Sequence, residues 1–490
     1  GADIITGSKG TDNVRLGENA GDSIASGGDE NVVIGKDAGT AITTGDRNVA
    51  VGHQAGDAIT TGGRHTLMGY ASGSALIDSD RNVAFGYGSL QSDTKGSKST
   101  AVGYSALNTQ NFTSATDAHN TAVGYTSGES LTTGKFNTFM GSISADSVTT
   151  GERNTAFGYG ALQTETAGSR ATALGFNALG TLNTSSANYN VGVGYDAGGA
   201  LTTGIQNTLV GALSGDALAA NAGDNVAMGY AALSAETQTS RNTAIGRGAL
   251  KEQNIGSNSN SYNTAVGAMA GQAITTGTNN TFVGGLASQN TTTGSNNVLI
   301  GTSAETAAVD TSQVIAIGSS VTSQAANNFT FGYGSTDSNI AFGATSITAP
   351  SDERYKEEIA TSTAGLSFIN DLRPVTFKWK KAKDLPSNHD SYIADGEDGC
   401  DDRVMLSNGE TNHGFIAQEV KAAIDAHSEI KDGFRMWSED YREDADGNKI
   451  ADNRQRIAPS ELIPMLTKAI QELSTEVETL KTKVAALEAG

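Results

Sequence analysis

Proline is absent from the first 349 residues of this 490-residue chain, and all five prolines lie at residue 350 or beyond. The single cysteine, Cys400, excludes an intramolecular disulfide framework. No run of 18 apolar residues occurs, which excludes a transmembrane helix and predicts no membrane insertion. An excess of basic residues is also missing, because the net charge is −21, and this argues against a nucleic acid as partner.

The chain has two parts of different composition. Residues 1–350 hold 53 of the 61 glycines, whereas residues 351–490 hold 18 of the 32 basic residues and 28 of the 53 acidic ones. Both tryptophans, Trp379 and Trp437, also lie in the second part. The change near residue 350 therefore predicts a domain boundary.

The first part is a repeat built on five-residue segments such as NVAVG (48–52), NTAVG (120–124) and NTAIG (242–246). The commonest step between closing glycines is 17 residues, and the two steps that end at Gly124 and Gly267 have 21. A fixed step of this length indicates a stacked repeat architecture. The closing glycines are residues 17, 35, 52, 69, 86, 103, 124, 141, 158, 175, 194, 211, 229, 246, 267, 284, 301, 318 and 332.

Each segment has the pattern of a short strand followed by a turn-rich return. Its second residue is mostly Thr or Val, and its fourth is a larger apolar residue such as Val51 or Phe85, so these two share one face. The third residue is usually small, as at Ala50 and Ala122, and points to the opposite face. We expect stacked units to bury the apolar face, and the small residue to pack closely against a second surface.

This pattern predicts a mainly β fold, a β-solenoid or β-roll of about 18 coils. The Asn that opens most units, as at Asn31 and Asn48, predicts a hydrogen-bonded ladder between coils rather than a binding site. Helical repeats fit less well because glycine opposes helix, and collagen needs glycine at every third residue. The calcium-binding nonapeptide repeat needs regularly placed Asp, which is absent.

The N-x-A-[VIF]-G unit, over residues 13–343, resembles the heads of trimeric autotransporter adhesins and the shafts of phage tail fibres. The 17-residue step differs from the shorter step of the adhesin heads. Both kinds of relative are homotrimers. The resemblance therefore implies a homotrimer, in which the small third residue would suit the interface between chains.

Residues 351–490 predict a small α+β domain that ends in a coiled coil. RPVTFKWKK (373–381) alternates like a half-buried strand, HGFIAQEVKAAID (413–425) continues into a helix, and DADGNKI (444–450) is a hairpin turn. The residue types at the heptad positions favour two strands, whereas the trimeric relatives imply three. The heptad residues are Ile463, Leu466, Ile470, Leu473, Val477, Leu480, Val484 and Leu487.

Three motifs follow one another in this second part: SDERYKEEI (351–359), GFIAQEV (414–420) and SELIPMLTKAIQEL (460–473). Together with LRPVTFKWK (372–380), they resemble the intramolecular chaperone auto-processing domain at the C-terminus of phage tailspikes and tail fibres. Pro459 departs from the family, which has an aromatic residue there. The resemblance implies a domain that folds as a trimer, templates assembly of the β-structured shaft and then cuts itself off.

In that family the nucleophile is the Ser of an S-D-x-R-x-K motif, and its Lys is the base. The resemblance implies that Ser351 is the nucleophile and Lys356 the general base, that Asp352 and Arg354 support them, and that cleavage falls between Pro350 and Ser351. A Lys can act as a base where desolvation or a nearby cation keeps it neutral. Taken without the resemblance, the same residues fit a solvated helix start with Ser351 as N-cap.

We therefore expect a trimeric viral tail fibre that binds a glycan or protein receptor on the host cell and contacts other tail components. It would be assembled in the host cytoplasm by a single-turnover serine endopeptidase and would reside in the virion tail. The alternatives are a bacterial trimeric surface adhesin and a tailspike depolymerase, which needs paired carboxylates in a groove. The histidines show no metal-ligand spacing, and the acidic turn at 444–450 lacks the terminal acids of a calcium loop, so no metal or cofactor is predicted.

The expected domain boundaries follow from these patterns. They are a lead-in at 1–12, the solenoid at 13–343, a linker at 344–350, the chaperone domain at 351–458 and the coiled coil at 459–490.

Overall fold

The computed structural model describes residues 4–5, 9–344, 347, 353–387, 392–402, 410–443 and 449–489. The chain forms two compact units, residues 1–351 and residues 352–490, and each is described by itself. Among the described residues, no helix is long and apolar enough to cross a membrane.

The first unit is a β-solenoid of about 19 turns, so the predicted fold class is confirmed. Most coils contribute one strand of three residues to a single long sheet. The strands are β1 Ile4–Ile5, β2 Val14–Leu16, β3 Val32–Ile34, β4 Val49–Val51, β5 Thr66–Met68, β6 Val83–Phe85, β7 Gly96–Ser97, β8 Thr100–Val102, β9 Thr116–Asp117, β10 Thr121–Val123, β11 Thr138–Met140, β12 Thr155–Phe157, β13 Thr172–Leu174, β14 Val191–Val193, β15 Thr208–Val210, β16 Val226–Met228, β17 Thr243–Ile245, β18 Thr264–Val266, β19 Thr281–Val283, β20 Val298–Ile300, β21 Val314–Ile317, β22 Asn328–Tyr333 and β23 Thr336–Ala341.

Neighbouring coils pair in parallel and without any shift in register. Thr100 of β8 lies opposite Thr121 of β10, and Val102 lies opposite Val123, although the intervening coil has 21 residues. An antiparallel strand lies at each end of the sheet, β1 beside β2 and β23 beside β22. The uniform register places each position of the repeat in its own column along the sheet.

The centre residue of each strand is the one that the solenoid buries. Ala101 and Ala122 are 0 % exposed, as are the larger Phe139 and Phe282 at the same position, whereas Phe85 in the outward column is 51 % exposed. The prediction that the fourth residue of the motif is buried, and that the small third residue suits an interface between chains, is therefore wrong. The interior accepts small and large side chains at this position, and the apolar fourth residue of the motif points outward.

The Asn that opens most coils is completely buried and forms the predicted ladder. The backbone N–H of Asn48 donates to Oδ1 of Asn31 over 2.9 Å, while Nδ2 of Asn48 donates to the carbonyl of Gly62 in the next coil over 3.1 Å. Each amide side chain thus satisfies a backbone donor and a backbone acceptor of the same following segment: Oδ1 of Asn31 accepts from the N–H of Asn48, and Nδ2 of Asn31 donates to the carbonyl of Gly45 over 2.9 Å. Buried backbone groups that the short strands leave unpaired would otherwise cost about 1–3 kcal/mol each.

The closing glycine of each coil is required by the tight stacking of the chain on itself. Gly103 has a φ of +135°, and a Cβ atom built there would lie 2.2 Å from the carbonyl oxygen of Gly124. No side chain fits at that distance, because the obstructing atom belongs to the backbone of the next coil.

The two longer coils are anchored by buried carboxylates in the coils before them. Nε2 of Gln110 donates to Oδ2 of Asp93 over 2.6 Å, and Nδ2 of Asn120 donates to Oε1 of Gln110 over 2.9 Å. The second long coil repeats the arrangement. Nε2 of Gln253 donates to Oε2 of Glu236 over 3.0 Å, and Nδ2 of Asn263 donates to Oε1 of Gln253 over 2.8 Å. The extra residues therefore leave the asparagine column and the strand register unchanged.

The described residues of the second unit form three helices and four strands. They are α1 Leu366–Asp371, β24 Val375–Phe377, β25 Asn412–Gly414, α2 Ala417–Ala426, β26 Trp437–Glu443, β27 Lys449–Ile457 and α3 Leu462–Glu488. Short 3-10 turns occupy Glu353–Tyr355, Ala382–Asp384 and Pro459–Glu461. The turn predicted at 444–450 lies largely outside the described residues, between the paired strands β26 and β27. A core of Phe368, Val420, Ile424, Met436 and Leu462 joins the three helices and the β26–β27 pair.

Helix α3 presents the heptad residues away from this core. Leu462 and Ala469 are buried, whereas all eight heptad residues are exposed, from 41 % at Leu466 to 82 % at Leu487. The predicted helix is present, and its pairing into a coiled coil stays a prediction.

One position of the asparagine column is occupied by His65. Its Nε2 lies 2.8 Å from the carbonyl of Ser79, and its Nδ1 accepts from the backbone N–H of Asn82 over 3.1 Å, so the neutral ring with a proton on Nε2 fits both contacts. Burial lowers the pKa of His65 to about 4. Protonation would remove the acceptor that Asn82 needs.

We expect the solenoid to lose stability through His65 as the pH falls from about 6.5, where the unfolded chain takes up the proton, to about 4, where the folded chain does. Over that range the loss is on the order of 3 kcal/mol. Thermal unfolding followed by circular dichroism should show a steeper fall in melting temperature for the wild type than for His65→Asn. His119→Asn, at an exposed position, serves as the control, and parallel curves for wild type and His65→Asn would refute the assignment.

Candidate functional site

The residues singled out from the sequence lie at the start of the second unit. Pro350, Ser351 and Asp352 are outside the described residues. The chain is described again from Glu353, where a 3-10 turn extends to Tyr355 and is followed by a hydrogen bond from the N–H of Lys356 to the carbonyl of Glu353 at 3.0 Å.

Arg354 and Lys356 lie in and just after this turn. Their side chains are both exposed in the single chain. The two basic residues of the S-D-x-R-x-K motif thus lie on one short segment, two residues apart in sequence.

The other motifs meet one another in the folded unit. Strands β24 and β25 pair antiparallel, so that Val375 from LRPVTFKWK lies opposite Gly414 from GFIAQEV. The guanidinium of Arg373 pairs with the carboxylate of Glu419, which joins the same two motifs on the surface. A Cβ atom at Gly414 would lie 3.3 Å from the ring of Phe377, so a larger residue there would require this ring to shift slightly.

The third motif contacts α1 through a carboxylate on α3. Oε2 of Glu472 accepts a hydrogen bond from the N–H of Leu366 at 2.7 Å, where α1 begins, and Nζ of Lys468 lies 3.5 Å from Oε1 of the same carboxylate. A Cβ atom at Gly365 would lie 2.5 Å from that Oε2, so the absent side chain makes room for the contact. A free N–H at the start of a helix is thereby satisfied by a residue 106 positions away.

A histidine between two carboxylates joins α1 to the end of α2. Nε2 of His427 lies 2.8 Å from Oδ2 of Asp371, and Nδ1 lies 3.1 Å from Oε1 of Glu429. The rings of Phe368 and His427 pack nearly perpendicular to each other, with a centroid separation of 5.4 Å. The hydrogen bond to Asp371, followed by that to Glu429, raises the pKa of His427 above its ordinary value, while partial burial opposes the shift.

Sequence reasoning did not identify Asp371, His427, Glu429 or Glu472. Asp371 and His427 are 56 residues apart in sequence, and no spacing rule connects them. A weak signal exists only for His427, which follows directly after the last helical residue of α2.

Three carboxylates of the solenoid, Asp93, Glu165 and Glu236, are completely buried. Glu165 accepts from the N–H groups of Gly168 and Thr184, just as the other two accept from their own loops. These acids serve the stacking of coils and are closed to a glycan outside. No group of three or more His, Cys, Asp or Glu suited to a metal ion occurs among the described residues.

We expect His427 to stabilise the second unit most at a pH below about 6.5, and to lose that contribution as the pH rises through its raised pKa. Only the protonated ring can donate to both carboxylates. The melting temperature of His427→Gln should therefore lie well below that of the wild type at about pH 6 and approach it at about pH 9.

Tryptophan fluorescence isolates this effect in the full chain, because both tryptophans belong to the second unit. His413→Gln, at an exposed position of β25, is the matched control. A difference between His427→Gln and wild type that is the same at both pH values would contradict the assignment.

The comparison with family models matches residues 351–429 to Peptidase_S74, described as chaperone of endosialidase. No curated protein sequence matches the chain. The match begins at Ser351, which the resemblance implies as the nucleophile, and it covers the first and second motifs. A domain of this family implies assembly as a homotrimer by a self-cleaving chaperone. The chain thus carries a C-terminal chaperone-of-endosialidase domain after a long β-solenoid region, an arrangement typical of phage tail fibres and tailspikes.

Proposed function

We propose that the chain is a tail-fibre subunit whose solenoid binds the host cell surface, and that its C-terminal domain releases itself by cutting the Pro350–Ser351 bond. The observation that carries this proposal is the family match, which starts at Ser351. The division of the chain into two compact units at the same place supports a cut there, because each product would keep its own core.

The proposed reaction uses groups of this chain alone. Nζ of Lys356 takes the proton from the hydroxyl of Ser351, and Oγ adds to the carbonyl carbon of Pro350. The bond from that carbon to the nitrogen of Ser351 breaks, and the nitrogen receives the proton from Lys356. The product is an ester between Pro350 and Oγ of Ser351, which water hydrolyses to a free carboxylate and a free hydroxyl.

Lys356 has to be neutral to accept that proton, since an ammonium group has no lone pair. Its side chain is exposed in the single chain. We propose that packing of three domains around one another removes water from Lys356, and that Arg354 on the same segment adds a repelling positive charge. Cleavage would then follow assembly rather than precede it.

We expect the wild-type chain to yield a C-terminal fragment of 140 residues, from Ser351 to Gly490, on a denaturing gel. Ser351→Ala and Lys356→Ala should both remain intact, because one lacks the nucleophile and the other lacks the base. Lys356→Arg is a control that keeps the charge and still cannot act as a base.

Two further measurements separate the parts of the proposal. Ile470→Asp with Leu473→Asp places charges in the exposed heptad row of α3 and should abolish both trimer formation and cleavage. Cleavage that persists in Ser351→Ala, or in a chain shown to be monomeric by light scattering, would contradict the mechanism.

Host binding is supported by the polar loops of the two long coils. Residues 113–115 and 256–260 are exposed, and the second segment reads GSNSN. Hydroxyl and amide groups on a rigid stacked support suit hydrogen bonding to sugars, and the underlying Gln253 and Glu236 hold the loop in place.

We expect the alanine variant Ser257→Ala, Asn258→Ala, Ser259→Ala to weaken binding of the labelled, assembled shaft to cells of a strain that adsorbs it. One or two lost hydrogen bonds correspond to a fall in affinity of about tenfold. Thr133→Ala, at an exposed turn of a 17-residue coil, is the control. An assembled shaft that binds no strain from a broad bacterial panel would refute the host-binding role.

A further inference from the structure

The outer face of the solenoid sheet carries two uninterrupted columns of uncharged residues. The first residue of each strand from β3 to β20, the two-residue β7 and β9 excepted, is Val or Thr. The third residue forms what we call the apolar column. It consists of Ile34, Val51, Met68, Phe85, Val102, Val123, Met140, Phe157, Leu174, Val193, Val210, Met228, Ile245, Val266, Val283, Ile300 and, in β21, the last residue Ile317.

The apolar column is partly open to water in the single chain. Phe85 and Phe157 are each 51 % exposed and Ile317 is 40 % exposed, whereas others, such as Val102, are of intermediate exposure. Parallel strands lie about 4.8 Å apart, so the 17 rungs extend over about 80 Å. With a width of about 10 Å, the face measures on the order of 800 Å², the area that each partner contributes to a stable protein interface. A monomer seldom leaves so large a contiguous apolar surface exposed.

Identical copies of this face are complementary to one another. Each rung carries one apolar residue in the same column, so two or three copies aligned in parallel present equivalent residues at equivalent heights. The column contains no charge, which matters because equal charges facing each other across a symmetry axis repel. The ion pairs of the solenoid, such as Arg47 with Glu30 and Arg241 with Asp224, involve other positions of the repeat.

A glycan is a less suitable occupant of this surface. The aromatic residues that follow the closing glycines stack on one another: Tyr70, Tyr87, Tyr104 and Tyr125 have centroid separations of 4.9 to 5.3 Å and nearly parallel rings. Sugars pack against the faces of aromatic rings, and here each inner ring already has both faces covered. Only ring edges and hydroxyl groups remain accessible beside the apolar column.

We propose that the apolar column is the surface by which copies of the solenoid pack together, in parallel and in the same register, around the axis of the homotrimer. This inference rests on the homotrimer that the chaperone domain implies, and it assigns the residues by which the shaft portion assembles. At each rung, the apolar residues of all three copies would then contact one another. The column of Val and Thr residues would lie next to this contact.

A single cysteine tests this placement. In a Cys400→Ser background, Val102→Cys puts one thiol in the apolar column, and Thr133→Cys puts one on an exposed turn of another coil. Mild oxidation of the purified full chain should convert up to about two thirds of Val102→Cys chains into disulfide-linked dimers, because only two of three thiols around a threefold axis can pair. Thr133→Cys chains should stay unlinked and react freely with a maleimide.

The state of assembly, measured by light scattering before oxidation, separates the possible failures. If the protein is a trimer but the thiol of Val102→Cys forms no disulfide and reacts freely with the maleimide, the proposed interface is wrong and the homotrimer still stands. A chain that is monomeric throughout would overturn both. Protection of that thiol only after bacterial surface polysaccharide is added would identify a glycan as the occupant and overturn the copy-to-copy interface.

Discussion

The buried asparagine at the start of most coils is the contact on which the solenoid depends. A strand of three residues provides few backbone hydrogen bonds, and the chain on either side of it turns sharply. The amide of Asn137 illustrates the solution: its own backbone N–H donates to Asn120, and its Nδ2 donates to the carbonyl of Gly151. Because each amide joins two neighbouring coils, a coil that shifted its register would leave several buried polar groups unpaired, and the column therefore enforces the parallel alignment of all the strands.

Variation in coil length is possible only where this column is preserved. In the long coils, the side chains of Gln110 and Gln253 each accept a hydrogen bond from the amide of the next asparagine of the column. Each glutamine in turn donates to a buried carboxylate, Asp93 or Glu236. The loops that project from the long coils are thus supported by fully satisfied polar clusters. Exposed polar loops and a regular sheet can coexist in the same coil because the added residues do not disturb the stacking.

The sequence was sufficient to predict the solenoid, its step and the asparagine ladder, since each depends on residues that recur at a fixed interval. It did not reveal which side of the strand is inside. Alternation in a three-residue strand is compatible with either orientation, and the interior accepts Ala101 and Phe139 alike, so side-chain size alone gave the wrong face. The motif around Ser351 was predictable because it is local, whereas the contact of His427 with Asp371 joins two distant residues that only the packing of α1 on α2 brings together.

The close stacking of successive coils determines how much length the solenoid gains per residue. Seventeen residues advance the sheet by a single rung of about 4.8 Å, whereas the same residues in an α-helix would extend for about 25 Å. Most residues of the solenoid therefore contribute to its width and few to its length. Resistance to bending rises steeply with cross-section, so this distribution of residues makes the solenoid stiff for its length.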